Sequence, residues 1–257
     1  MNYTLITGAS SGIGLELCHL LAEAGNNIIL VARKEKELYE LRSSLMKQYD
    51  IQVEVIIKDL AAPNAPKEIY THIMNREIKV DTLINNAGVG SFGPFSKISL
   101  EKDMNLIDVN IRALTELTKL FLPELLKREK GRILNVASTA GFMPGPYMAT
   151  YYASKAYVIS FTEALASELK GTAVTVSVLC PGPTKTGFQA KAEMKKSDFV
   201  TLGVMEAKAV ALCGFNGMLK GKTIIIPGAL NKLLVYGSKL FPRKLLTALA
   251  KSTQKIN

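Results

Sequence analysis

A doubly wound α/β fold, with a seven-stranded parallel sheet and helices on both faces, is what this 257-residue chain predicts. Three observations carry it. Short β-rich runs alternate with helical stretches, and several of those runs are unbroken apolar sequences, as in strands buried on both faces. A glycine-rich turn also leaves the first strand and opens the first helix. The composition, 48% hydrophobic and 21% charged, is globular, and the length suffices for one domain with a sizeable core.

The elements follow in order. YTLIT is a strand, and GIGLELCHLLAEAG has apolar residues at helical spacing and ends on Gly25. NIILVAR is the second strand, KEKELYELRSSLMKQY a charged helix, IQVEVIIKDL the third strand, and a helix lies near Ala65 to Arg76. DTLINNAG is the fourth strand, and a long helix runs from about Ile107 to Lys127. GRILNVAS, a helix through TYYASKAYVIS, TAVTVSVLCPG, a helix near Glu206 to Met218 and GKTIIIPG complete the seven strands. Residues 1–257 read as a single domain, with a basic amphipathic extension from about residue 228.

Several classes of function are disfavoured. The apolar pattern begins at the second residue, with no visible charged leader before it, so no export signal is expected. Cys18, Cys180 and Cys213 lack any paired spacing and read as reduced packing residues; His19 and His72 are isolated, so no metal site is expected. The net charge is +10, yet all 22 acidic residues lie at or before Glu206 while nine lysines and arginines follow it. Nucleic acid is not expected as a partner, because no recognition helix or stacking platform accompanies that charge.

The chemistry concentrates in loops after strands. In TGASSGIG, Gly8 permits a tight turn, Gly12 lets backbone approach a diphosphate, and Gly14 lets the helix pack close to the strand. Exposed amides at the helix start, Ile13 included, would hold phosphates, with Ser10 and Ser11 offering hydroxyls. The second strand ends in ARK rather than in a carboxylate that would favour NAD(H). Arg33, with Lys34 beside it, suits a 2′-phosphate, so NADP(H) is expected in preference to NAD(H). Asp59 is placed to accept from an adenine amino group with Leu60 beside the ring. In NNAG, Asn85 and Asn86 tie neighbouring strands, and Ala87 and Gly88 leave space for a flat cofactor.

TYYASK places Tyr151 four residues and Tyr152 three residues before Lys155, and helical spacing alone does not choose between the two phenols.

TGASSGIG, NNAG, YYASK and PGPTKT occur in the order and positions of the short-chain dehydrogenase/reductase family, which the chain resembles over roughly Tyr3 to Ile226. The resemblance implies a Rossmann-like sheet, a nicotinamide cofactor and a Ser-Tyr-Lys-Asn site. It lays the family's tyrosine on Tyr151 and its lysine on Lys155, its serine on Ser138 and its asparagine on Asn110. On that basis Tyr151 would exchange a proton with a carbonyl or alcohol, Ser138 would hold the same oxygen, Lys155 would bond the nicotinamide ribose, and Asn110 would anchor a water chain. An ammonium some 4 Å from the phenol could supply about 4 kcal/mol at an effective dielectric near 20, so Lys155 is expected to lower the Tyr151 pKa from about 10. Pro181 and Gly182 would turn the chain past the nicotinamide, with the backbone near Thr184 and the hydroxyl of Thr186 on its carboxamide. FQAKAEMKKSDFVTLG, Phe188 to Gly203, is expected to form a lid.

The activity these features predict is hydride transfer between NADP(H) and a carbonyl or alcohol, with an apolar ketone or aldehyde as substrate. The competing reading is a dinucleotide-binding regulatory or scaffold protein without turnover. An epimerase or dehydratase of nucleotide sugars fits less well, since the glycine spacing differs and no large C-terminal substrate domain follows. The substrate pocket is expected around Phe92 to Phe95 and Phe142 to Pro146. The family also implies a homodimer or homotetramer through the Ile107–Lys127 and Tyr151 helices. The expected location is cytoplasmic. For the basic tail three roles compete: packing on its own domain or a sister subunit, contact with an anionic membrane surface, and capture of an acidic carrier.

Overall fold

Successive side chains of a strand point to opposite faces of its sheet, and here both faces are apolar. The computed structural model describes residues 2–188, 192 and 203–252. Strands β1 (Asn2–Thr7), β2 (Asn27–Ala32), β3 (Val53–Ile57), β4 (Lys79–Asn85), β5 (Gly131–Val136), β6 (Val174–Leu179) and a short β9 (Ile224–Ile225) form the main sheet. Its order is β3-β2-β1-β4-β5-β6-β9, parallel throughout, which is the architecture the sequence predicts.

Helix α1 (Gly12–Glu23) follows β1 and α2 (Glu35–Gln48) follows β2. On one face Ile6, Ile28 and Leu30 pack with Leu17 and Leu21 of α1 and Leu38 of α2. The same layer takes Phe215 from α7 (Ala207–Leu219), the helix before β9. On the other face Leu5, Ile29 and Val31 pack with Ile69 of α3 (Ala65–Asn75), Phe121 of α5 (Leu114–Leu126) and Leu165 of α6 (Ala149–Glu168). The chain winds outward from β1 to β3, then crosses back to β4 on the other side of β1. That reversal opens a crevice beyond the carboxyl ends of β1 and β4.

Three details depart from the expected elements. The long helix starts earlier, at α4 (Leu100–Ile107), where the Ser99 side chain accepts from the Lys102 amide at 3.3 Å. It then passes through a π-turn, Asp108–Ala113, before α5 begins. A second small parallel pair, β7 (Thr184–Lys185) with β8 (Met205–Glu206), joins the two sides of the segment expected to be a lid. Of that segment only Phe188, Ala192 and Gly203 belong to the described residues; the rest of the expected lid lies outside them. The extension forms α8 (Ala229–Ser238) and α9 (Arg243–Ser252), divided near Pro242. Among the described residues no helix is long and apolar enough to cross a membrane.

Candidate active site

The crevice is a cleft of about 460 Å³ whose walls come from the ends of β1 through β6. At its β1 side, Gly8 has φ +68°, and a Cβ there would stand 2.8 Å from Asn86 Nδ2, so only glycine fits. Asn86 Nδ2 donates to the carbonyls of Thr7 at 2.9 Å and Gly8 at 3.2 Å, while Thr7 Oγ1 accepts from the amides of Asn86 and Ala87, both at 3.0 Å. These bonds stitch the glycine turn to the end of β4. A Cβ on Gly14 would lie 2.3 Å from Gly8 O, which explains how α1 comes so close to the turn. Thr7 was not singled out by the sequence; a threonine at a strand end carries no signal for so local a task.

The start of α1 suits an anion. Ser11 stands at the N-cap without a side-chain capping bond, and the first turn holds no acidic residue. Its amides and the positive end of the helix dipole therefore remain for a diphosphate. Gly8, Ser10, Ser11, Gly12 and Ile13 all line the cleft here; Gly14 is buried behind it.

At the next two strand ends Arg33, Lys34, Asp59 and Leu60 line the cleft. Arg33 Nη1 lies 3.4 Å from Asp59 Oδ2, both side chains well exposed, and Asp59 Oδ1 also accepts from the Ala61 amide at 3.0 Å. Lys34 pairs with Glu37 at 2.5 Å. The expected partners, a 2′-phosphate for Arg33 and an adenine for Asp59, are thus replaced in the chain alone by a bond between the two residues. An exposed pair of this kind holds by less than about 1 kcal/mol, so either group can exchange it for a ligand. Asn86, Ala87 and Gly88 form the floor. Beneath it Asn85 Nδ2 donates to Asn135 Oδ1 at 2.9 Å and to Thr118 Oγ1 at 3.1 Å, and Asn135 Nδ2 donates to Thr162 Oγ1 at 2.9 Å. This buried chain ties β4 to β5, α5 and α6.

The helix α6 delivers Tyr151 and Lys155 on one face, one turn apart, both buried. Tyr152, one residue on, turns its ring over Gly145, where a Cβ would lie 2.3 Å from the ring. Both tyrosines line the cleft, but the phenol of Tyr151 is the one that the side chain of Ser138 acts on, favouring its charged form. Ser138, just past β5, also contacts the carbonyl of Pro181 at 3.3 Å and accepts from the Ala140 amide at 3.1 Å. Lys155 Nζ donates to the carbonyl of Val136 at 3.0 Å and stands 5.8 Å from the Tyr151 ring centroid.

The electrostatics correct one expectation. Burial pushes the Tyr151 phenol up to about 12, the Ser138 side chain working against it, and burial pulls the Lys155 ammonium down to about 8. Lys155 does not hold the phenol below its ordinary value of 10.0 in the chain alone. The spacing captured the proximity of the two groups; the loss of solvent, which disfavours both charged forms, outweighs their attraction.

Asn110 does not reach the cleft wall. It is buried in the π-turn, where Oδ1 accepts from the Val89 amide at 2.9 Å and Nδ2 donates to the Val89 carbonyl at 3.0 Å and to Ser154 Oγ at 3.0 Å. Ser154 Oγ in turn donates to the Tyr151 carbonyl at 2.7 Å. Asn110 therefore braces the loop after β4 against the helix that carries Tyr151, through Ser154, which the sequence reading did not pick out.

Pro181, Gly182, Thr184 and Thr186 close the last side. A Cβ on Gly182 would lie 2.4 Å from Asn231 Oδ1, and Thr184 Oγ1 donates to Gly182 O at 2.9 Å. Next to Tyr151 the wall is apolar: Ala140, Met143, Met148, Tyr152 and Phe188 line it, and the Phe188 ring centroid is 5.4 Å from that of Tyr151. Of the expected pocket residues, Met143 lines the cleft and Phe92 packs against this cluster, whereas Phe95 is exposed to solvent.

A parallel sheet with a glycine-rich turn opening a helix at its switch point, and a buried tyrosine and lysine with a serine beside them in the same cleft, is the arrangement of a dinucleotide-binding oxidoreductase. The model of the short chain dehydrogenase family matches residues 2–197, and the chain belongs to that family. It is similar to the ketoacyl reductase HetN of Nostoc sp., with 32% identity over 208 residues, 80% of this chain and 71% of the relative. Among solved structures it is similar to a short-chain dehydrogenase from Sphingobium yanoikuyae in complex with NADPH, at TM-score 0.83 and 30% identity, covering 93% of this chain and 94% of the other. A short-chain dehydrogenase/reductase from Burkholderia phymatum in complex with NAD matches at TM-score 0.81 and 25% identity, over 92% and 91% of the two chains.

Proposed function

We propose that this protein reduces the carbonyl group of an apolar ketone or aldehyde with NADPH, and catalyses the reverse oxidation of the corresponding alcohol. The observation that carries the reading is the buried phenol of Tyr151, which shares its cleft wall with Ser138 and has Lys155 one turn away, at the apolar end of a cleft whose other end suits a dinucleotide. The bound cofactor supplies the hydride.

The chain supplies the rest. Ser138 and Tyr151 present two hydroxyl donors to one carbonyl oxygen, holding charge as it develops. A phenol near 12 is protonated at neutral pH, and an alkoxide is more basic than a phenolate, so Tyr151 gives its proton to the forming alkoxide downhill. The phenolate left behind sits beside Lys155, whose Nζ stands 5.8 Å from the ring centroid, and an ammonium so close attracts the anion by on the order of a few kcal/mol at an effective dielectric near 20. The raised phenol therefore suits Tyr151 to the acid role when the reaction runs as a reduction.

Arg33 supports the 2′-phosphorylated cofactor: its planar fork donates bidentately to a phosphate once it leaves Asp59, and β2 ends in no carboxylate. The NADPH-bound neighbour supports the same choice, while the NAD-bound one keeps the decision with this chain's own residues. The ketoacyl reductase relative and the Met143, Met148 and Phe188 wall support a carbonyl substrate with an apolar body. Homodimers or tetramers through α5 and α6 belong to the same reading; Leu126 and Tyr157, both exposed on these helices, are apolar groups available there.

The experiment is oxidation of NADPH against a panel of ketones and aldehydes, with Tyr151→Phe alongside. Turnover that the variant loses supports the enzyme; dinucleotide binding with no turnover across the panel would leave a binding protein instead.

A further inference from the structure

We propose that the outer face formed by α8, α9 and the link between them docks on the surface of an anionic lipid bilayer. Of the eighteen large apolar side chains exposed among the described residues, eight fall between 230 and 249. Leu233 is 69% exposed and Leu240 85%. Isolated exposed leucines are ordinary on a protein surface, but this density within two short helices is a patch of the kind that marks an interaction site.

The helices are not misplaced. Asn231, Val235 and Ser238 bury one side of α8, and Val235 packs with Ala137, Phe142 and Cys180, beside the wall of the cleft. Asn231 Nδ2 donates to the Pro227 carbonyl at 2.9 Å, and Leu246 and Ala250 bury one row of α9. With these faces inward, Leu230, Leu233 and Leu234 share an outward arc of about 100°, and Leu245 and Leu249 stand one turn apart on α9.

Charge selects the occupant. Lys232, Lys239, Arg243, Lys244 and Lys251 flank these leucines, and the chain has no acidic residue after Glu206. Lys239 Nζ lies 5.7 Å over the Tyr236 ring, so a cation and an exposed amphipathic aromatic stand together, as they do at a lipid headgroup boundary. A second copy seated by a twofold axis would bring this cationic rim against itself, with no carboxylate in the patch to answer it. Anionic headgroups answer the rim while the leucines enter the acyl boundary, at about one kcal/mol per cation near the surface, which is about fivefold in partitioning.

The test is flotation of the full chain with vesicles of phosphatidylcholine alone or with about 30 mol% phosphatidylserine, at low and high salt. The chain is expected to float with the anionic vesicles, to stay behind with the neutral ones, and to be released by salt. Lys239→Glu with Arg243→Glu, and separately Leu233→Ser with Leu240→Ser and Leu249→Ser, should each lower partitioning by on the order of tenfold or more. All these side chains are exposed, and an unchanged melting temperature shows that the variants fold. The proposal is overturned by equal behaviour on both vesicles, by variants that bind like the parent, or by a concentration-dependent dimer, or nucleic-acid binding, that uses this face in place of lipid.

Discussion

Lys155 Nζ spends its hydrogen bond on the carbonyl of Val136, at 3.0 Å, while standing 5.8 Å from the ring of Tyr151. The ammonium is therefore held by backbone, in a buried place, before any ligand arrives. Such an arrangement lowers the stability of the chain alone, and under the proposed mechanism it holds a cation in place for the phenolate of Tyr151.

Lys155→Met should consequently stabilise the unliganded protein at pH 7 while removing turnover. A fall from 10.5 to about 8 corresponds to about 3 kcal/mol, of which about 1 is returned by the lost bond to Val136. Because the folded-state pKa is depressed, the unfolded chain binds more protons between those values, and native stability rises with pH across that window. The penalty is complete below pH 8 and absent above pH 10.5. Melting temperatures of the two proteins should thus differ in favour of methionine at pH 7, by roughly 5 °C, converge on the way up, and cross at about pH 10, just below the ordinary value of 10.5, where the remaining penalty equals the lost bond.

Asn110 and Ser154 should behave as one unit. Asn110→Ala leaves the Val89 amide and carbonyl without their partner and should cost about 2–4 kcal/mol in urea unfolding. Ser154→Ala should cost less, about 1–2 kcal/mol. A double-mutant cycle should give a coupling of about 1 kcal/mol, whereas strict additivity would show that the 3.0 Å contact does not carry the brace.

Arg33→Ala tests the cofactor choice. Loss of a charge-assisted phosphate contact should lower kcat/KM for NADPH by about 10- to 100-fold, with NADH changed less than about threefold. Equal losses with both cofactors would place Arg33 in structural service to Asp59 instead.

The sheet was legible because its signals are local. Apolar runs such as NIILV and the glycines at 8, 12 and 14 act through their own backbone, and the order of strand-end motifs brings Gly8, Asn86, Ser138 and Pro181 to one cleft. What the sequence concealed depends on distant partners. The start of α4 leaves no apolar rhythm in the sequence because Leu100 and Met104 are exposed. Asn110 meets Val89 and Ser154 only through a π-turn that no residue spacing announces. Arg33 and Asp59, 26 positions apart, pair across two strand ends. The direction of the Tyr151 shift escapes the sequence for the same reason: helical spacing fixes who stands near whom, while the solvent removed from both is set by the whole fold.

The decisive experiment is a single turnover of NADPH oxidation in which dinucleotide binding and hydride transfer are followed separately for the parent and Tyr151→Phe. If the phenol delivers the proton, binding is unchanged and transfer slows by at least about 100-fold. Transfer within about threefold of the parent, with binding intact, would mean that another group protonates the substrate oxygen and that the role assigned to Tyr151 is wrong.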